Sequence, residues 1–157
     1  MNVIEMLAKK LGIYLAAVLT AYLLASASAT QSVVASLSSM GVPVGLGDRV
    51  VMTLGDVVGM AGMFLPLVAF ALLVAFLFTA LLCRWLGRWR TPLYLLAGAT
   101  ALVAMHLAMN LAFDLTPVAI ARSTFGLLVQ GAAGAAGGFV YVRLNGLLFG
   151  HSPLVMT

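Results

Sequence analysis

Four long apolar stretches dominate the chain, at about residues 11–29, 50–82, 93–113 and 117–142, and almost every charge lies at their ends. Each is near or above the roughly 20 apolar residues that carry a helix across a bilayer core. Few folds are open to a chain divided this way. In hydrocarbon, every backbone N–H and C=O must be bonded within the structure, which selects helices or closed barrels. Runs of this length select helices. The expected fold is all-α: a polytopic membrane protein, with residues 1–157 forming one transmembrane domain built as a bundle of four transmembrane helices.

Composition agrees. The chain is 64% hydrophobic and 8% charged, whereas a soluble domain carries about a quarter charged residues. The net charge of +4 comes from bases at the ends of apolar runs. That pattern sets membrane orientation and gives no sign of nucleic-acid binding. The single cysteine, Cys83, excludes an intramolecular disulfide and a CxxC motif. Beside Arg84 it reads as an interface residue.

The first run, after Lys9-Lys10, admits two readings. It fits a span, and its Ala25-Ser26-Ala27-Ser28-Ala29 end also resembles a secretory cleavage site. The long start containing Glu5 favours the span. Residues 31–40 either extend that helix or lie at the interface, Gly41 to Gly47 reads as a turn, and Asp48 reads as an N-cap. The second run is too long for one vertical crossing, and Pro66 is expected to kink it. Three arginines and two tryptophans between Arg84 and Arg90 mark a membrane–water boundary.

With the N-terminus in the cytoplasm, Lys9, Lys10, Arg84, Arg88, Arg90 and Arg143 lie inside, and Arg49 and Arg122 outside. This bias predicts a bacterial-type inner (plasma) membrane protein with both termini cytoplasmic.

The polar residues of the last two runs share one face. Gly98, Leu102, His106, Asn110 and Asp114 recur every four residues, as do Arg122, Gly126, Gln130, Gly134 and Gly138. Residues four apart lie on one side of a helix. Folding the hairpin at Pro117-Val118 sets Asp114 against Arg122, Asn110 against Gly126, His106 against Gln130 and Gly98 against Gly138. The result is a polar seam that widens outward, with Asp56 at similar height on the second run.

Each feature has a structural and a functional reading. Asp114 and Arg122 read first as an ion pair that fixes the hairpin, with Asp56 as an alternative partner; an anion or headgroup site is the other reading. His106 reads first as a neutral histidine bonded to Gln130 or to a backbone carbonyl. As a functional group it is a proton relay, or an axial haem ligand whose second histidine must come from another copy. No metal site is expected, because the series climbs away from any one point. Gly131, Gly134, Gly137 and Gly138, and likewise Gly55 and Gly59, read as faces for close helix packing. No HExxH or GxSxG motif is present.

The expected function is a non-catalytic small subunit or accessory protein of a membrane complex, associating through glycine-rich helix faces. The expected partners are the lipid bilayer and other membrane subunits or a second copy. The alternative is a small oligomeric transporter or channel working through His106 and Arg122.

Overall fold

The computed structural model describes residues 2–113 and 123–150, apart from the side chains of Arg88, Ala112 and Phe113. The described residues form five α-helices, α1 (Val3–Ser39), α2 (Leu46–Met60), α3 (Phe64–Leu82), α4 (Arg90–Phe113) and α5 (Thr124–Phe149), with a short 3-10 turn at Gly87–Trp89. There is no strand among them. Helices α1, α3, α4 and α5 are each long and apolar enough to cross a membrane.

Helix α1 continues past the first apolar run and takes in residues 31–39, so those residues extend the helix. At about 1.5 Å per residue, its 37 residues reach ~55 Å, well beyond a core of about 30 Å. It closes on Gly41 at φ +82°, where only glycine is unstrained. There the Val42 N–H donates to the Leu37 carbonyl and the Gly41 N–H to the Ser38 carbonyl, both at 3.1 Å.

The second apolar run is two helices, not one kinked helix. Residues Ala61 to Met63 form a turn, and Pro66 lies in the first turn of α3. Proline has no N–H, and its ring collides with the carbonyl four residues back. The break therefore falls before Pro66, in a stretch that Gly62 already loosens. Asp48 is not the cap of α2. Gly45 holds that place, and Asp48 accepts its N–H at 3.3 Å from the third helical position. Helix α5 starts at Thr124, capped by Ser123 accepting the Gly126 N–H at 3.0 Å, and runs on to Phe149.

Helices α4 and α5 form the closest pair. A Cβ added at Gly98 would run into the Gly134 carbonyl, and one added at Gly134 into the Gly98 carbonyl. A Cβ at Gly138 would meet the Tyr94 carbonyl in the same way. This corrects the expected facing of Gly98 and Gly138: the hairpin register differs by one helical turn. In the observed register Gly98 meets Gly134 and Tyr94 meets Gly138. Helix α1 packs on the other side of α5, where a Cβ at Gly137 would lie 2.8 Å from the Ala17 carbonyl oxygen. Ala17, Ala21, Ala25 and Ala29 are all buried at four-residue spacing on this side of α1. Helix α3 completes the bundle through Val68, Leu72 and Phe76, and Phe76 stacks with Tyr94 and Tyr141 at centroid distances of 5.4 and 4.6 Å.

Gly134→Ala is expected to destabilise the protein by about 1–3 kcal/mol or more, the range for overpacking a close contact. Gly55→Ala, where no atom lies within 4 Å, is expected to be neutral or slightly stabilising. Thermal unfolding of both variants in mild detergent checks the contrast.

Candidate functional site

Two buried polar side chains stand at the level where α4 and α5 cross the bundle, Gln130 and His106. Gln130 is fully buried on α5, and its Nε2 donates to the Ala25 carbonyl at 3.1 Å and to Ser28 Oγ at 3.4 Å. His106 is 3% exposed, and its Nδ1 lies 2.8 Å from the Leu102 carbonyl oxygen. A carbonyl only accepts, so Nδ1 carries the proton of the neutral ring and Nε2 is an acceptor. The ring stands edge-on to Phe64, with centroids 5.9 Å apart, and Phe64 in turn packs on Tyr22.

Of the two partners expected for His106, the structure supplies the backbone carbonyl, that of Leu102, and not Gln130. The shifted register sets Gln130 opposite Leu102, and the Gln130 amide turns to α1. Two buried acceptors, His106 Nε2 and Gln130 Oε1, are left without a hydrogen-bond partner. On α4 and α5 side chains lean toward the N-terminus of their own helix. These helices are antiparallel, so the two side chains lean toward each other's level. Chemically, this place accepts a proton on Nε2 or a small hydrogen-bond donor.

A second polar group joins α1 to α2. The Thr30 hydroxyl donates to the Asp56 carboxylate at 2.8 Å, and Gln31 Nε2 donates to Thr53 Oγ1 at 3.2 Å. The break after α2 turns the Ala61 N–H to the Val58 carbonyl, and the Tyr22 hydroxyl takes the Val57 carbonyl instead. The Tyr14 hydroxyl donates to the Ala69 carbonyl on α3. These partners on α1 were not anticipated. Their signal was there to read: Tyr14 and Tyr22 are eight residues apart, and Ser26 and Thr30 four apart, on one helical face.

Other anticipated residues fall as follows. Asp114 and Arg122 lie outside the described residues, and so does His151. Asn110 is exposed, one turn beyond His106. Asp56 is half-buried and bound to Thr30. Gly134 and Gly138 are spent on α4 and Gly137 on α1, while Gly131 is looser, with a Cβ there 3.3 Å from Val103 Cγ2. Gly55 and Gly59 touch no neighbour within 4 Å. Burial pushes the Cys83 thiol up, against the opposing pull of the nearby Arg90 guanidinium. Among the described residues no three of His, Cys, Asp and Glu come together as metal ligands. Nor does His106 suit haem: at 3% exposure its ring has no face open to a porphyrin.

The described residues define an all-helical bundle in which four helices are long and apolar enough to span a membrane, with a mostly apolar core and a few buried polar side chains. Comparison with family models, curated proteins and solved structures finds no match.

Thr30→Val strands the Asp56 carboxylate and is expected to cost about 1–3 kcal/mol, the penalty for an orphaned polar group. Asp56→Asn keeps an acceptor for Thr30 and is expected to cost less. Melting temperatures of the two variants in detergent check the order.

Proposed function

We propose that this chain is a non-catalytic integral membrane protein that works by association, as a small subunit or accessory protein of a membrane complex. The outward face of α2 carries this reading. Val50, Val51, Leu54 and Val58 are exposed there, and Gly47, Gly55 and Gly59 between them have no atom within 4 Å. Thr53 and Asp56 point the other way and are bonded to α1. A helix that turns its polar groups inward and its apolar, small-residue side outward suits close contact with a transmembrane helix of another chain. The glycines of α5 serve packing within the chain, so α2 takes over the associating role first expected of them.

Gly59→Leu should release a partner that co-purifies with the wild-type protein in mild detergent, with thermal stability unchanged. Retention of the partner removes α2 from the interface, and a wild type that purifies alone under the same conditions overturns the subunit reading.

A transporter or channel reading has one observation in its favour: the unpartnered His106 Nε2 and Gln130 Oε1 inside the bundle. On that reading His106→Gln, which does not titrate near neutral pH, abolishes pH-dependent flux in liposomes. On the subunit reading no such flux exists to lose.

The orientation we propose, both termini in the cytoplasm across a bacterial-type inner membrane, rests on the distribution of basic residues. In a Cys83→Ser background, Ser38→Cys is expected to react with an impermeant thiol reagent from outside and Asn2→Cys only after the membrane is opened.

A further inference from the structure

An open apolar groove runs along the outside of the bundle between α3 and α4. It has two joined parts, of about 550 and 280 Å³, which share Ala75 and Thr100. The smaller part reaches Leu82 and Leu93, at the loop that joins the two helices. That loop, with the first residue of α4, carries Arg84, Trp85, Trp89 and Arg90, and both tryptophans are exposed.

The lining asks for hydrocarbon. Its hydroxyls are already satisfied: Thr79 donates to the Ala75 carbonyl and Thr100 to the Leu96 carbonyl, both at 2.8 Å. An occupant therefore needs no polar groups along the groove. Its rim is uneven, because Phe70 and Phe78, 67% and 66% exposed, stand on the same side of α3. A flexible chain fits between such side chains, whereas a packed helix needs the bare backbone face seen between α4 and α5. At the loop end the demand reverses. Arg84 and Arg90 offer positive charge where the groove meets the membrane–water boundary, and tryptophan favours that depth.

We propose that this groove is a binding site for an anionic phospholipid of the adjoining leaflet, with an acyl chain lying between α3 and α4 and the phosphate held at Arg84 and Arg90. Basic pockets at the ends of transmembrane helices bind anionic headgroups in this manner, and guanidinium pairs with phosphate through two parallel hydrogen bonds. The site is independent of the α2 face and of the proposed subunit role.

The test uses the full chain in phosphatidylcholine nanodiscs doped with phosphatidylglycerol. Native mass spectrometry after release into mild detergent reads the retained lipid. Preferential retention of phosphatidylglycerol is expected, and Arg84→Gln and Arg90→Gln should each lower it about fivefold, the effect of one basic side chain near an anionic surface. Ala97→Trp, which fills the groove and leaves both arginines, should abolish retention. Arg143→Gln, a basic residue on α5 away from the groove, should leave it unchanged, and free glycerol phosphate should not compete. Photoactivatable phosphatidylglycerol gives a reading on the wild-type chain alone, with labelling expected between residues 75 and 100. Equal retention of the two lipids, retention that survives Ala97→Trp, or labelling confined to other helices would each overturn the proposal.

Discussion

Bare backbone contact between α4 and α5 is the constraint on which the rest of this bundle depends. In lipid, apolar side chains gain little by leaving one hydrocarbon for another, so association rests on close packing and on polar bonds between helices. Gly98 and Gly134 let the two backbones touch, and Gly138, lacking a Cβ, leaves room for the Tyr94 carbonyl. That contact fixes the register of the pair. The register in turn decides that Gln130 lies opposite Leu102 and is free to reach α1. Substituting a larger residue at one of these glycines would therefore displace polar groups two helices away.

The second consequence is the way polar groups are spent. Gln130, Thr30 and Asp56 all make bonds between helices or between a helix and its neighbour's backbone. Such bonds tie α1 to α5 and to α2, while α3 is held by aromatic stacking and by the Tyr14 hydroxyl. His106 stands apart. Its ring bonds within its own helix and leaves a buried acceptor unpartnered. Among the described residues His106 Nε2 and Gln130 Oε1 are the buried side-chain polar atoms left without a partner, and imbalances of this kind accompany function often enough to make His106 the residue to vary first.

Much of this was legible in the sequence. Apolar run lengths gave the four spanning helices, and the arginine-tryptophan cluster marked the end of α3. Among the glycines singled out by spacing, Gly134, Gly137 and Gly138 make close backbone contacts, whereas Gly55 and Gly59 face open space. The register was not legible, because a four-residue repeat is equally satisfied by a shift of four. Both registers bring Gly98 against a glycine, Gly134 in one and Gly138 in the other, so the glycine spacing does not choose between them. The break before Pro66 was misplaced because proline acts on the carbonyl four residues earlier, not at its own position. The α1 partners were overlooked because Ala25-Ser26-Ala27-Ser28-Ala29 matches the small-residue pattern of a cleavage site. The same small residues, on a helix, let α5 approach and leave Ser28 to meet Gln130.

The α4–α5 register is the central claim, and cysteine pairs in a Cys83→Ser background test it most directly. Pairs at Leu102 with Gln130 and at His106 with Gly126 lie opposite each other in the observed register, while His106 with Gln130 lies opposite only in the register shifted by one turn. Oxidation in native membranes should bridge the first two pairs rapidly and the third slowly or not at all. Rapid bridging of His106 with Gln130, and slow bridging of the other two, would contradict the account.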